Sequence, residues 1–211
     1  MRIAIVTNCV YRKEPEYVGY TDGYKRRYCD KWGIDYLRTN DDIHPDNPPA
    51  WSKPAIMLRS IRDYDWLVWM DADAAPVDMD VDIKKFLSFT PRKIIMQKHG
   101  KTWNSGVFAL PNDERCIRWM EYIEGRRNMP RYQRGLWEQY AMTDSFKTDE
   151  WNDIPWNPPY ELGWNCCLPV FRGAGEPSAY EEGRWCIHVF GQPDNVRNRI
   201  FRNEEWIERR H

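Results

Sequence analysis

Residues 64–78 read YDWLVWMDADAAPVD. Five apolar residues, Trp66 to Met70, lie between charged residues, and this pattern predicts a short strand buried on both faces. Two carboxylates, Asp71 and Asp73, follow directly. Ligands of an open α/β sheet bind beyond the carboxyl ends of its strands, so we expect both carboxylates at the mouth of a site.

The spacing of these carboxylates predicts a site for a divalent cation. Alternate residues of an extended segment point to the same side, so Asp71 and Asp73 can converge on one ion. Two carboxylates held together without a cation would repel each other. Oxygen ligands suit Mg²⁺ or Mn²⁺, which keep open positions for phosphate oxygens. A solvated turn is the alternative, and we favour a metal that holds a diphosphate.

Strands and helices alternate through the first half of the chain, which indicates an α/β fold with a mostly parallel sheet. The predicted strands are 3–6, 34–37, 65–70, 93–97 and 107–110, and the predicted helices are 24–32, 52–62, 83–89, 114–124 and 136–142. Residues 11–23 contain two glycines and predict a loop. Beyond residue 148 the chain is irregular, as functional surfaces often are, apart from a predicted strand at 184–190 and a helix at 204–210.

Lys53 occupies an unusual place for a cation. Ser52 is the predicted N-cap of its helix, so Lys53 lies in the first turn, where the helix dipole disfavours positive charge. The position predicts an anionic partner for Lys53. An ordinary solvated lysine is the alternative.

Length and charge limit the possible classes of protein. The chain has 211 residues, enough for one domain with its own core. Its net charge of −1 argues against a general nucleic-acid-binding protein. No apolar stretch approaches the ~20 residues of a membrane span, and the first residues do not resemble a signal peptide. We therefore expect a cytoplasmic protein without a membrane span.

Cysteine and tryptophan usage adds two expectations. None of the six cysteines forms a C-x-x-C pair, and the adjacent Cys166 and Cys167 suit neither a zinc site nor a disulfide, which predicts reduced thiols. The 12 tryptophans and 12 tyrosines have an apolar body and a polar tip, which suits sugar-binding clefts. Trp151, Trp156 and Trp164 are candidates to stack on a sugar, with core packing as the alternative.

Five motifs, taken in order, resemble those of GT-A fold glycosyltransferases. They are WSKPA around Lys53, WMDADA at 69–74, WNSGVF at 103–108, Glu138-Gln139, and HVFG at 188–191. The pattern is similar to that of glycogenin-like and GMA12/MNN10-type xylosyl/galactosyl transferases and extends over residues 1 to about 200. Soluble microbial and viral transferases are also similar, and an algal-virus enzyme that builds capsid glycans is one candidate relative.

The resemblance implies roles for particular residues. Asp71, Asp73 and His188 would hold Mn²⁺ or Mg²⁺; without the resemblance, His188 would be taken for a structural histidine. Thr7 and Asn8 would lie at the nucleotide base, Lys53 at the diphosphate or donor sugar, and Asn104 and Gly106 beside the donor sugar. One domain, 1–211, would divide into a nucleotide-binding part at about 1–110 and an acceptor part at about 111–211.

The chain also departs from the family pattern. Gln192-Pro193-Asp194 replaces Lys-Pro-Trp, so Arg197 or Arg199 would take the place of the lysine that binds phosphate. The family's Asp-Gln is Glu138-Gln139. An inverting mechanism needs a carboxylate base, for which Glu138 is the first candidate and Asp149 the second. In a retaining mechanism, Glu138 or Gln139 would position the donor, and the sequence leaves this choice open.

The predicted function is therefore a metal-dependent hexosyl-, pentosyl- or deoxyhexosyltransferase. We expect its donor to be a nucleoside-diphosphate sugar with UDP as the nucleotide, and its acceptor to be a glycan or glycoprotein. One alternative is a HAD-like phosphatase, whose motif contains Thr or Val at the position where this chain has Ala75. The other is a non-catalytic sugar-binding module, which would not need a pair of carboxylates at a strand end.

Overall fold

A computed structural model of the protein describes residues 1–159, 164–167, 185–189 and 191–202. The strands are β1 (Ile3–Asn8), β2 (Asp35–Thr39), β3 (Trp66–Met70), β4 (Ala74–Pro76), β5 (Ile94–His99), β6 (Thr102–Pro111), β7 (Pro155–Trp156), β8 (Cys166–Cys167) and β9 (Cys186–His188). The helices are α1 (Glu16–Trp32), α2 (Ser52–Ser60), α3 (Ile83–Phe89), α4 (Glu114–Glu124), α5 (Trp137–Ser145) and α6 (Asp194–Arg202).

The central sheet has the strand order β2-β1-β3-β6-β5-β7. Its pairings are parallel except for those of β6, which runs against both β3 and β5. This arrangement confirms the mixed α/β fold with a mostly parallel sheet. A second sheet, β4-β9-β8, lies beside the carboxyl end of β3.

The strand β3 is buried on both faces, as predicted. Leu67 and Trp69 point into one apolar core, whereas Trp66, Val68 and Met70 point into another on the opposite face. Full burial of a large apolar side chain stabilises the fold by roughly 1.5–3 kcal/mol. Packing on both faces therefore fixes the strand end from which Asp71 and Asp73 emerge.

The second sheet brings a distant part of the chain to this strand end. In the antiparallel pairing of β4 with β9, Ala74 lies opposite His188. The amide of Val189 also donates to the carbonyl of Asp73 over 2.9 Å. These backbone bonds place His188 beside the two carboxylates.

The predicted loop at 11–23 is wrong, because α1 begins at Glu16. Gly19 and Gly23 lie inside the helix, where each glycine costs about 1 kcal/mol relative to alanine. Buried Tyr24 and Tyr28 offset this cost by packing into the cores. The helix ends at Gly33 in the left-handed conformation (φ +57°), as its position predicted.

Other boundaries differ for local reasons. Ser52 does not cap α2: a 3₁₀ turn, Pro49–Trp51, leads into the helix, and the Ser52 hydroxyl instead accepts from the Ile43 amide over 3.1 Å. The last predicted strand is observed as Cys186–His188. The sequence patterns did not indicate α6, and the helix predicted at 204–210 lies outside the described residues.

The described cysteines fit the prediction of reduced thiols. Cys9, Cys29, Cys116 and Cys186 are buried as thiols, and the side chains of Cys166 and Cys167 lie outside the described part of the structure. Burial raises the pKa of both Cys29 and Cys116 to about 12. None of the helices in the described part of the chain combines the length and apolar character needed to cross a membrane.

Candidate functional site

Three side chains that could bind a metal meet at the carboxyl end of β3. One ligand atom from each of Asp71, Asp73 and His188 lies within 4.8 Å of the others. The His188 Nε2 atom is 3.3 Å from Asp73 Oδ1 and 3.7 Å from Asp71 Oδ2. Two carboxylate oxygens and one imidazole nitrogen suit a divalent first-row metal, and open positions would remain for a ligand.

Gly106 provides the space that His188 occupies. A Cβ atom added to Gly106 would lie 1.9 Å from His188 Cε1 and 2.7 Å from its Nε2. The Gly106 carbonyl also accepts a 2.8 Å bond from the Asp71 amide. Gly106 therefore fixes the main chain of one metal-binding candidate and leaves room for the ring of another.

A buried ion-pair cluster lies next to these three residues. Lys53 Nζ is 2.8 Å from Glu138 Oε1 and 3.1 Å from Asp71 Oδ1. It also donates to the Ser105 carbonyl over 3.0 Å. Burial by itself would lower the pKa of Lys53, but the charges of Asp71 and Glu138 outweigh it and raise that pKa above its usual value. The predicted anionic partner of Lys53 is thus found, and the surface-lysine alternative is wrong.

The Asn-Ser-Gly segment links this cluster to α5 and β8. The Ser105 hydroxyl donates to Glu138 over 2.9 Å, and the Ser105 amide donates to Gln139 Oε1 over 3.0 Å. The side-chain oxygen of Asn104 accepts bonds from Gly106 N and Asn165 Nδ2, each 2.8 Å long. Because of these bonds, α5 and β6 hold the ion-pair cluster as one rigid unit.

The main chain of the Asp-x-Asp motif is held at four consecutive carbonyls, each of which accepts a hydrogen bond from another element. The donors are Thr7 Oγ1 to Met70 (2.8 Å), Lys25 Nζ to Asp71 (3.0 Å), Thr21 Oγ1 to Ala72 (2.7 Å) and Val189 N to Asp73 (2.9 Å). Since β1, α1 and the residue after β9 all contribute, the directions of the two carboxylates are set by three parts of the fold.

Arg197 of α6 completes the surroundings of Asp73. Its guanidinium lies 2.8 Å from Asp73 Oδ2 and donates to the Val189 carbonyl over 3.1 Å. Burial would raise the pKa of Asp73, but the hydrogen bond and charge of His188, together with the charge of Arg197, hold it well below its usual range. Asp73 is therefore a carboxylate at neutral pH and available as a ligand. Arg199 is exposed on the same helix.

Comparison with solved structures places this geometry in a known fold. The chain is similar to a glycosyltransferase involved in the glycosylation of the major capsid of PBCV-1, at 17% identity and a TM-score of 0.73 over 96% of this chain and 99% of that chain. The chain has the GT-A glycosyltransferase fold. Neither a family model nor a curated protein matches the sequence.

Two larger glycosyltransferases share the GT-A fold with this chain. The bifunctional glycosyltransferase WbbM is 10% identical with a TM-score of 0.56, covering 99% of this chain and 50% of its own. The apo form of GlyE from Streptococcus pneumoniae TIGR4 is 11% identical with a TM-score of 0.56, covering 98% of this chain and 63% of its own. The chain thus spans between half and two thirds of the length of each of these two neighbours.

Within the GT-A fold, some predicted site residues lie elsewhere than expected. Thr7 is fully buried beneath the Asp-x-Asp motif, so it is not available to a nucleotide base. Asn8 is partly buried, and its side chain bonds Thr39 and the Asp41 carbonyl at the end of β1. Lys53 is only 3% exposed and makes its contacts with two carboxylates inside the protein, so its role at the diphosphate or donor sugar stays a prediction.

The structure does not bring Asp149 to the site. Asp149 is exposed on the turn after α5. The segment after this turn contacts the start of β5, where the Ile94 amide donates to the Ile154 carbonyl. Because β5 runs in the same direction as β3, this contact lies at the opposite end of the strands from the carboxyl end of β3. Asp149 as a second candidate base stays a prediction, and the position of its turn favours Glu138 as the first candidate.

The three tryptophans predicted to stack on a sugar belong to the core. Trp151 is 5% exposed and packs against Tyr122, and Trp164 is fully buried against Trp185. Trp156 is partly buried against Phe86. The alternative of core packing is confirmed for Trp151 and Trp164, and Trp156 packs against the margin of the core.

Lys25 is the functional candidate that the sequence patterns missed. It is fully buried on α1, one helical turn after Thr21. Burial lowers its pKa, and the Asp22 carboxylate opposes that effect. The i, i+4 spacing of Thr21 and Lys25 would have placed both on the inner face. The signal was lost because the helix was predicted to begin only at residue 24.

Replacing Lys25 with methionine is expected to weaken Mn²⁺ binding by about 10- to 100-fold, since loss of a group that orients a metal ligand has effects of this size. The substitution removes the donor to the Asp71 carbonyl and leaves the three ligand side chains in place. Mn²⁺ affinity can be read from the electron paramagnetic resonance signal of the unbound ion. Lys31→Met, at an exposed position of α1, is the matched control. Equal affinities in the two variants would contradict the prediction.

Proposed function

We propose that the protein is a metal-dependent glycosyltransferase that moves a sugar from a UDP-sugar to a glycan or glycoprotein acceptor. One observation carries the proposal: Asp71, Asp73 and His188 converge at the carboxyl end of the central strand of a GT-A fold. The involvement of one structural neighbour in the glycosylation of the major capsid of PBCV-1 supports a glycoprotein acceptor. The donor would bind to the part at about 1–110 and the acceptor to the part at about 111–211.

Asp71, Asp73 and His188 would hold Mn²⁺ or Mg²⁺, and these residues fit such an ion because they offer two hard oxygens and a borderline nitrogen. When bound, the ion supplies positive charge to the diphosphate that departs during transfer. The Arg197 guanidinium lies against the Asp73 carboxylate and carries a positive charge. We assign Arg197 to the diphosphate, in the place of the lysine that related transferases carry.

Glu138 is the carboxylate that we place beside the reacting sugar. Lys53 and Ser105 both contact its Oε1 atom, and Oε2 has no such contact among the described residues. The two donors fix the direction of the carboxylate. In an inverting reaction Glu138 would take the proton of the acceptor hydroxyl, and in a retaining reaction it would position the donor sugar. The anomeric configuration of the product, read by NMR, distinguishes the two roles. Asn104 and Gly106 would border the donor sugar, and Asn8 would lie near the base.

The deciding experiment combines ligand binding with turnover. UDP-sugars are expected to raise the melting temperature only when Mn²⁺ is present, since a ligand that binds the folded state raises its apparent stability. We also expect slow hydrolysis of at least one UDP-sugar, in which the sugar is transferred to water and UDP is released. Asp73→Asn should abolish both effects, whereas Asp30→Asn, at an exposed site on α1, should leave them unchanged.

The rival functions give different results in the same experiment. Hydrolysis of simple phosphate esters without turnover of any nucleotide sugar would support a phosphatase. Sugar binding that does not depend on a metal, again without turnover, would support a binding module. If neither UDP nor any UDP-sugar binds with Mn²⁺, the proposed function is wrong.

A further inference from the structure

Three large apolar side chains, two of them aromatic, are exposed at the start of α5, on either side of Glu138 in the sequence. Leu136 is 40% exposed, Trp137 37% and Tyr140 38%. The two residues that follow Trp137 are Glu138 and Gln139, both of which bond Ser105 in the ion-pair cluster. The exposed side chains and the buried cluster therefore share one turn of helix.

The backbone of this turn is held in an unfavourable conformation. Trp137 has a φ of +41°, and it is the single non-glycine residue with a positive φ in the described ranges. A bulky side chain disfavours this conformation, and such outliers collect at ligand sites. Glycine, asparagine or aspartate would be easier to accommodate here than tryptophan. A large exposed ring at a position with this backbone conformation points to a use for the ring.

The turn also fixes the second ring. Gly135 has a φ of +79°, and a Cβ added there would lie 2.8 Å from Tyr140 Cε2. The Tyr140 ring therefore lies against the backbone of the turn, three residues after Trp137. The result is a small apolar surface of two aromatic rings and one leucine.

We propose that Trp137 and Tyr140 bind the acceptor saccharide by stacking on its ring. This inference rests on the proposed function, because the acceptor must approach the cluster that contains Glu138. Aromatic side chains with a polar tip suit a ligand that has one apolar C–H face and hydroxyl groups in water. A specific protein partner would need roughly 800 Å² on each side, which is more than three partly exposed side chains supply.

The first test uses simple methyl glycosides of glucose, galactose, mannose, xylose and rhamnose as probes. The protein is labelled with 5-fluorotryptophan, and the ¹⁹F resonance of residue 137 is assigned by its loss in Trp137→Asn. We expect at least one glycoside to shift this resonance with saturation. If the resonance stays unchanged with every glycoside up to its solubility limit, the inference is wrong.

The second test separates acceptor binding from donor chemistry. Trp137→Asn tolerates a positive φ, so the variant is expected to fold with undiminished stability. It should raise the KM for a glycoside acceptor at least 10-fold without a comparable rise in the KM for the UDP-sugar, whereas Trp137→Phe should stay close to wild type. An unchanged KM in Trp137→Asn would overturn the inference.

Two further outcomes are distinguishable. Glycoside binding at residue 137 without any UDP-sugar turnover would contradict the proposed function and leave the saccharide site in place. A wild-type dimer that becomes monomeric in Trp137→Asn, measured by sedimentation, would show that the surface joins two copies of the chain and would overturn the inference.

Discussion

Replacing Gly106 with alanine is expected to reduce Mn²⁺ affinity by at least roughly 100-fold, the upper end of what loss of a supporting group causes at metal sites. The added methyl group would lie 1.9 Å from the His188 ring, closer than any contact between nonbonded atoms. The ring must rotate away, because the Gly106 main chain is held in place: its amide donates to Asn104 Oδ1 and its carbonyl accepts from the Asp71 amide. Asp71 and Asp73 would then lack the imidazole as the third candidate ligand.

The mechanism of this effect can be isolated with a second variant. His188→Ala is expected to lower Mn²⁺ affinity by a similar factor, and the combined Gly106→Ala/His188→Ala variant should be no weaker than His188→Ala alone. Such non-additivity follows when two substitutions remove the same contact. Gly19→Ala is the matched control, because it has no neighbouring atom within 4 Å and lies on the exposed side of α1. Additive losses would show that Gly106 acts in another way.

Local patterns predicted the parts of the fold that depend on local physics. The strand at 66–70 was visible because burial on both faces demands a continuous apolar run, and its end placed Asp71 and Asp73. The partner of Lys53 was expected from the helix dipole alone. In each case one element carried enough information for the prediction.

The missing parts depend on contacts between distant segments. Lys25 was overlooked because two glycines weaken the local helix signal, while tertiary packing decides that the helix forms. The family resemblance assigned Thr7 to the nucleotide, and the register of β1 with β3 instead directs it to the Met70 carbonyl. The pairing of β9 with β4 brings His188 to the site, and only the family resemblance indicated it.

The charge balance around Lys53 leads to the second large prediction. Replacing Lys53 with methionine is expected to destabilise the protein by about 3–5 kcal/mol, because removal of one partner leaves a buried charge uncompensated. Glu138 has a side chain only 4% exposed and would keep the Ser105 hydroxyl as its donor. Asp71 is affected less, since it is 31% exposed and also accepts a bond from Trp69. Urea unfolding followed by circular dichroism measures the change.

The pKa of Lys53 determines the pH at which urea unfolding should be measured. The folded-state pKa is raised above its usual value, so the stabilising contribution is complete below the unfolded-state pKa and is lost as the pH rises through the folded value. Near neutral pH the full contribution is therefore observed. The difference in free energy of unfolding between the wild type and Lys53→Met is therefore expected to become smaller towards high pH.

The double variant Lys53→Met/Glu138→Gln tests whether charge, rather than packing, causes the loss. Glutamine is neutral and similar in shape, so the Ser105 hydroxyl can still donate to its carbonyl oxygen. We expect the double variant to regain most of the stability that Lys53→Met loses, because replacement of both charges avoids an unpaired buried ion. If the two substitutions are simply additive, the ion pair is not what holds α2, α5 and β6 together around the metal-binding residues.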